Sequence, residues 1–183
     1  MTPSIAFALR DELIDRAASD QRARAQLDPV APTPQQWQHV HQVDKDNVRW
    51  LAPIVAVHGW PGHRAVGVDG AHAAWLLAQH APAPYRAWWL PQLRAAVANQ
   101  DAASRDLAYL ADRVATDQRR PQHYCTQWLQ IGSAPGRLYP LHRPAEVNLA
   151  RADIGLDPIP DSDIETAYLN YDEITTATPG GSR

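Results

Sequence analysis

The sequence has almost no cysteine, since Cys125 is the only one among 183 residues. A single cysteine excludes an intrachain disulfide and is typical of a protein from a reducing compartment. The sequence also lacks a charge excess: its net charge is −3, whereas nucleic-acid binding requires a strongly basic face. No apolar run approaches the ~18 residues of a membrane span, and no secretory signal precedes the first helix. We therefore expect a cytoplasmic protein that binds neither nucleic acid nor membranes.

The composition is typical of a folded domain. Hydrophobic residues make up 45% of the chain and charged residues 20%, close to the globular average. A chain of 183 residues is long enough for one compact core. We expect a mainly α fold, a single-domain helical bundle over residues 1–174 with a small β-hairpin near residues 123–141. Residues 175–183 are predicted to form a disordered tail.

Apolar periodicity predicts the first helix over residues 4–27, where leucine and alanine recur every four residues. On this helix Asp20 and Arg24 have the spacing of a surface ion pair. Three prolines then predict a linker or wrapping loop over residues 28–43. A second helix is predicted to begin at Asp44 as its N-cap, and a glycine and a proline end it about 14 residues later.

The third predicted helix covers residues 69–81 and is apolar on all sides, which is typical of a buried central helix. Two more helices are predicted, one after Pro84 and one from Ser104. After them, aromatic and β-branched residues flank a turn at residues 132–136, and this pattern indicates the β-hairpin. Pro144 opens a further short helix. The order of elements therefore places the single β element after the main helices.

Four short motifs place polar side chains beside otherwise apolar segments. Buried polar groups need partners, so these side chains either bind one another or face a ligand. The motifs are His58-Gly59-Trp60-Pro61, Gln79-His80-Ala81, Asp112-Arg113-Val114 and Gln122-His123-Tyr124-Cys125-Thr126-Gln127.

These motifs resemble those of a bacterial family known as domain of unknown function 6624. The resemblance covers about residues 15–160, and its motifs occur in the family's order. It departs from the family at Cys125, where the family pattern has glycine. If that glycine serves a positive φ, cysteine strains the local turn. The resemblance implies no particular activity. The similar positions are Asp20-Gln21 with Arg24, Asp44 with Asn47, His58–Pro61, Val66-Gly67, Ala74–Ala81, Asp112–Val114, Gln122–Gln127 and Glu146–Leu156.

Two histidines are candidate catalytic bases, because histidine titrates near neutral pH. His58 lies in the last turn of its helix, where an imidazolium also stabilises the free carbonyls, so a structural role is the alternative. Gln79 and His80 point about 100° apart on an apolar helix, so at least one of them is buried and needs a partner. We expect His80 to be catalytic and Gln79 to bind substrate; the alternative is a core histidine bonded to backbone. His72 is expected to be exposed.

Asp112 is the third catalytic candidate. It lies on the fifth helix opposite the apolar stripe, and its simplest interpretation is a solvated acid. It could orient a catalytic histidine if the hairpin packs on that face. Arg113 points to another side of the helix and is a candidate substrate-binding residue.

The hairpin segment contributes Tyr124 as the fourth catalytic candidate, acting as a hydrogen-bond donor or acid. The alternative is a tyrosine at the edge of the core whose hydroxyl reaches solvent. Gln122 and Gln127 are candidate substrate-binding residues on either side of it. Trp60, with Trp128, is a candidate for the wall of a pocket.

Cofactor motifs are weak or missing. His58, His80 and Asp112 would make a two-histidine, one-carboxylate metal set, but no histidine pair has metal-ligand spacing on one helix. There is no phosphate loop, nucleophile elbow or dinucleotide fingerprint. Cys125 near His123 does not predict a thiol nucleophile, because Cys–His catalysis depends on the arrangement of the two side chains in space and not on their proximity in the sequence. We therefore predict neither a metal nor an organic cofactor.

Two functions remain open. The first is a small cofactor-independent hydrolase or lyase that uses histidine, aspartate and tyrosine in acid–base chemistry on a small polar substrate. The second is a non-catalytic ligand-binding or protein-interaction module, in which the same side chains form a structural polar network. The sequence leaves the oligomeric state undefined.

Overall fold

A computed structural model describes residues 3–29, 31–131 and 135–177, and it confirms the mainly α fold with one small hairpin. Within these residues, none of the helices combines the length and apolar character needed to cross a membrane. The helices are α1 (Pro3–Ala25), α2 (Pro34–His58), α3 (His63–His80), α4 (Ala83–Ala98), α5 (Ser104–Asp117), α6 (Val147–Ala152), α7 (Asp161–Glu165) and α8 (Tyr171–Ala177). The strands are β1 (Trp128–Leu129) and β2 (Arg137–Leu138), and a 3₁₀ turn covers Pro144–Glu146.

The chain divides into two compact units, residues 1–107 and 108–183, with the boundary inside α5. We call them unit 1 and unit 2. The single domain over residues 1–174 stays a prediction. In unit 1, α3 packs chiefly against α1 and also contacts α2 and α4. α3 is largely buried, which confirms the prediction from its apolar pattern that this helix is buried and central. The core of unit 1 includes Leu13, Leu51, Ala74, Leu77, Trp89 and Leu93.

The predicted linker over residues 28–43 is wrong from Pro34 onward, because α2 begins there. Thr33 is the N-cap: its hydroxyl accepts from the Gln36 amide at 3.3 Å, and the Gln36 side chain accepts from the Thr33 amide at 2.8 Å. Proline is tolerated in the first turn of a helix, where its missing N–H costs nothing. Asp44 consequently lies inside α2 and is not its N-cap.

The third helix begins earlier than predicted, at His63, but its helical geometry is interrupted at Gly67. The φ angle of Gly67 is +72°, a conformation that favours glycine. The segment after this kink matches the predicted helix over 69–81 closely.

Unit 2 contains the hairpin, in which Trp128 pairs with Leu138 and Leu129 with Arg137. These strands are shorter than the predicted hairpin over residues 123–141, and residues 132–134 of its turn lie outside the described residues. α8 includes the first three residues of the predicted tail, and residues 178–183 lie outside the description. A buried cluster supports the hairpin and consists of Cys125, Leu138, Val147, Ile159 and Ala167.

Candidate active site

His80 is the last residue of α3, and its ring nitrogen Nδ1 lies 2.8 Å from Oδ2 of Asp20 on α1. Asp20 continues the buried stripe of α1, because it follows Leu13 and Ala17 at helical spacing. The Asp20 side chain is 1% exposed and that of His80 is 21% exposed. A buried carboxylate therefore holds a partly exposed imidazole.

The surroundings of Asp20 keep it ionised. Burial alone would raise the pKa of Asp20, but the hydrogen bond with His80 and the charges of His80 and Arg24 outweigh burial and lower the pKa below 3.8. An ionised carboxylate only accepts hydrogen bonds, so we assign the donated hydrogen to Nδ1 of His80. Nε2 then remains for chemistry, since no described residue forms a hydrogen bond with it.

Arg24 connects this pair to α2. Its Nη2 atom lies 2.5 Å from Oδ1 of Asp44 and 3.2 Å from Oδ1 of Asp20. Its Nε atom lies 3.0 Å from Nδ1 of His80 and 3.4 Å from Oδ2 of Asp20, and with Nδ1 protonated the carboxylate is the acceptor. Burial raises the pKa of Asp44, and the charge of Arg24 opposes that shift. One guanidinium therefore holds carboxylates from two helices beside the imidazole.

A cavity of about 310 Å³ lies beside this cluster. Its volume is at the lower end of the range for small-molecule sites. Both His80 and Asp44 reach its wall, so the cluster borders a space that a ligand can enter. The lining residues are His41, Asp44, Lys45, His80, Ala81, Pro82 and Arg86.

The other candidates of unit 1 are not among the residues that line this cavity. His58 is exposed at the end of α2, and Trp60 is buried. Gln79 is also buried, which confirms that at least one member of the Gln79–His80 pair is buried, and its Oε1 has no partner among the described residues. His72 is exposed as predicted, with Nδ1 at 3.3 Å from Oδ2 of the buried Asp106. Roles of His58, Trp60 and Gln79 in a site stay predictions.

Asp112 is 1% exposed, so its simplest interpretation as a solvated acid is wrong. The segment after α5 folds over that face of the helix and surrounds the carboxylate. Oδ1 accepts from the amide of His123 at 2.7 Å, and Oδ2 accepts from the amides of Tyr124 and Thr126 at 3.0 and 3.1 Å and from the Thr126 hydroxyl at 3.1 Å. Burial raises the pKa of Asp112, while these hydrogen bonds oppose the shift. The carboxylate organises the loop.

The two glutamines of unit 2 also bind the backbone of their own loop. Nε2 of Gln122 donates to the carbonyls of Gln127 at 2.9 Å and Tyr139 at 3.1 Å, while its Oε1 accepts from the Gln127 amide at 2.9 Å. The Gln127 side chain donates to the Thr126 hydroxyl at 2.9 Å. These bonds account for the burial of both side chains, and their binding of a substrate stays a prediction.

The remaining residues of unit 2 that the sequence analysis singled out differ in exposure. Tyr124 is half-buried, and its carbonyl accepts from Nη1 of Arg151 at 2.7 Å. Arg113 and Trp128 are exposed. Cys125 is buried, and burial raises the pKa of its thiol to about 12, so a thiolate nucleophile is disfavoured near neutral pH. Catalysis by Tyr124 and substrate binding by Arg113 stay predictions.

In the described ranges, no group of three or more histidine, cysteine, aspartate or glutamate side chains has the arrangement to hold a metal ion.

Sequence reasoning missed Asp20, Arg24 and Asp44 as parts of this site. The Asp20–Arg24 pair was expected on the surface, yet Asp20 is buried. A usable indication existed: Asp20 falls on the apolar stripe of α1, and a carboxylate at a core-facing position needs a partner. For Asp44, the prolines before it suggested a loop that ends there, so it was predicted as an N-cap and not as a residue inside α2.

Comparison with protein families shows the family to which the chain belongs. The sequence pattern of a family of unknown function, DUF6624, matches residues 7–169. This span includes all four residues of the Asp20, Arg24, Asp44 and His80 cluster and the loop around Asp112. The comparisons with curated proteins and with solved structures give no match. The chain therefore belongs to DUF6624, a family of unknown function.

Proposed function

We propose that unit 1 carries an acid–base active site in which His80 is the base. The observation that carries this proposal is the pairing of Nδ1 of His80 with buried Asp20 at 2.8 Å while the same ring lines the cavity. A carboxylate that fixes one ring nitrogen orients the other toward a substrate and stabilises the imidazolium that forms. The substrate is a small polar molecule in the cavity.

The part of the chemistry assigned to His80 is proton transfer. Nε2 of His80 removes a proton from water or from the substrate, and the resulting imidazolium is stabilised by Asp20. The electron pair left by that proton forms the new bond, the bond to the leaving group breaks and its electron pair goes to the leaving group, and Nε2 returns the proton to that group. A hydrolysis or an elimination fits this sequence of steps. Arg24 contributes by keeping Asp20 ionised.

A second candidate function rests on the same contacts. Arg24 and Asp20 on α1, Asp44 on α2 and His80 on α3 join three helices, and such a network stabilises a bundle without any catalysis. In that case unit 1 is a binding or interaction module. The cytoplasmic location of the protein stays a prediction from the sequence.

The first test is the tautomer of His80, measured by long-range ¹H–¹⁵N correlation in the labelled protein. His80 is assigned as the signal lost in His80→Gln among the eight histidines. We expect hydrogen on Nδ1 and none on Nε2 in the neutral form, and we expect Asp20→Asn to remove this preference. A neutral ring with hydrogen on Nε2 in the wild-type protein would rule out the base we assign.

The second test is turnover of a panel of small esters, amides and hydroxy acids. His72→Gln is the matched control, because His72 also lies on α3 and pairs with an aspartate, but it does not line the cavity. We expect His80→Gln to reduce turnover by about 100-fold or more and His72→Gln to leave it unchanged. Turnover equal in both variants, together with a lower melting temperature for His80→Gln, favours the structural network.

A further inference from the structure

The carboxylate of Asp44 is bound to its neighbours through one of its two oxygens. Nη2 of Arg24 lies 2.5 Å from Oδ1 of Asp44, whereas Oδ2 forms no hydrogen bond with any described residue. Oδ2 is also not among the unpartnered polar atoms that are closed off from solvent. Because Asp44 lines the cavity of about 310 Å³, this second oxygen remains as a hydrogen-bond acceptor at the cavity wall.

The other polar side chains of the lining differ from Asp44 in what they offer a ligand. Lys45 and Arg86 carry cationic groups, which only donate hydrogen bonds. Nε2 of His80 accepts, but the proposed function uses it for the proton that is removed. The ring of His41 can donate or accept. Among the described lining residues, Asp44 is therefore the one whose ionised side chain only accepts hydrogen bonds.

One guanidinium group brings Asp44 close to the proposed base. Nη2 of Arg24 contacts Asp44, and Nε of the same group lies 3.0 Å from Nδ1 of His80. The carboxylate from α2 and the imidazole from α3 therefore reach the same cavity beside one planar group. We expect the substrate atoms next to the reacting proton to lie within reach of Asp44.

We propose that Asp44 is a specificity-determining residue whose Oδ2 accepts a hydrogen bond from a hydroxyl or ammonium group next to the bond on which His80 acts. The role of His80 rests on the proposed function, whereas the binding of a donor by Asp44 does not. The substrate class is narrowed to small molecules that carry such a donor beside the reacting group. A site that hydrogen-bonds a substrate group discriminates strongly against analogues without that group, because its own polar atom is then left unpaired.

The ordinary alternative is that Asp44 serves only as the partner of Arg24, and small probes separate the two roles. Glycerol supplies hydroxyl donors, 1,3-diaminopropane supplies ammonium donors, and 1,2-dimethoxyethane accepts hydrogen bonds but donates none. Each probe is titrated into the ¹⁵N-labelled protein at constant pH and ionic strength. The backbone amide signals of the lining residues Asp44, Lys45 and His80 report occupancy of the cavity.

We expect glycerol or 1,3-diaminopropane to shift these signals to saturation, and 1,2-dimethoxyethane to leave them unchanged. The probe that binds names the donor. Asp44→Asn is the decisive variant, because asparagine can keep its oxygen toward Arg24 and then presents an amide donor at the cavity. We expect this variant to bind the donor probe about tenfold more weakly. Asp46→Asn is the matched control and should keep the wild-type affinity, since Asp46 is exposed on the same helix but does not line this cavity.

Binding of 1,2-dimethoxyethane as tight as that of the donor probes would overturn the proposal. So would a lack of saturable binding by both donor probes, or equal affinity in wild-type protein and Asp44→Asn. The comparison of probes uses the wild-type protein, so it decides the question even if the variant fails to fold.

These results are separable from failure of the proposed function, because the tautomer of His80 reports on the base and the probes report on Asp44. Donor binding that depends on Asp44, together with hydrogen on Nε2 of His80, keeps the donor site and removes the base. The opposite pair of results keeps the base and removes the donor site.

Discussion

Each unit of the protein buries one aspartate that is 1% exposed: Asp20 in unit 1 and Asp112 in unit 2. Asp20 binds ionisable side chains, His80 and Arg24, and its pKa is lowered. Asp112 binds three backbone amides and one hydroxyl, and burial raises its pKa. Both carboxylates are buried, and the imidazole that Asp20 holds also lines a cavity.

The comparison shows that two equally buried carboxylates can bind different types of partner, so burial alone does not define the role of a carboxylate. The type of partner is more informative. A carboxylate bound to backbone amides fixes the path of the chain, whereas a carboxylate bound to an imidazole also affects how that ring exchanges protons. Substitutions in the two aspartates therefore separate an effect on stability from an effect on chemistry.

The largest effect on stability is expected for Asp112→Ala. The substitution leaves buried amides of the loop at residues 123–126 without an acceptor, and each such loss costs on the order of 1–3 kcal/mol. We expect the free energy of unfolding to fall by about 3 kcal/mol or more, measured by urea denaturation. Asp153→Ala is the control, because Asp153 is exposed at the end of α6. A loss below about 1 kcal/mol would mean that water replaces the carboxylate.

A smaller loss is expected for Asp20→Asn, about 2 kcal/mol, because hydrogen bonds to charged groups are worth about 1.5–3 kcal/mol. The asparagine keeps the shape of the side chain but not its charge. The double variant with His80→Gln measures the coupling of the two residues, and we expect about 1 kcal/mol. Additive losses in the double variant would show that Asp20 stabilises unit 1 without fixing His80.

The two aspartates should also have opposite effects on the pH dependence of stability. The lowered pKa of Asp20 means that its contribution is present above 3.8 and is lost as the pH falls through the folded-state pKa. The raised pKa of Asp112 means that its ionisation favours the unfolded state, so its contribution is greatest below 3.8 and is lost as the pH rises through the folded-state pKa.

These signs are measured as differences in the free energy of unfolding between wild-type protein and each variant. From about pH 2.5 to 6, the difference from Asp20→Asn should grow and the difference from Asp112→Asn should shrink. Parallel curves for the two variants would remove the electrostatic distinction between the two sites.

The periodicity of the sequence was sufficient to predict that the five long helices exist and that α3 is central, because apolar spacing reports burial directly. It failed at Pro34, where proline begins a helix although it was expected to continue a loop. The sequence was also sufficient to predict His80 as a candidate site residue. Its partner was not predictable, because a contact between Asp20 and His80 spans 60 positions and depends on how two helices pack. The same limit applies to Asp112, which the helical pattern alone placed in solvent.

The smallest expected effect concerns Cys125 in the loop around Asp112. Its φ angle is +56°, a conformation that costs residues other than glycine on the order of 1 kcal/mol. Cys125→Ala keeps this strain and loses the sulfur, whereas Cys125→Gly also relieves the strain. We expect the glycine variant to be the more stable of the two by about 1 kcal/mol in urea denaturation.

The comparison between the two variants is needed because Cys125 also packs in the core beside Leu138 and Val147. Both substitutions lose this packing of the sulfur, so their difference isolates the backbone and the β-carbon. Should the alanine variant be the more stable, the β-carbon contributes more through packing than the positive φ costs. The loop would then hold its path around Asp112 through side-chain contacts as well as through the carboxylate. The hydrogen bonds from the backbone to Asp112 would then explain less of the difference between Asp112 and Asp20 than we infer.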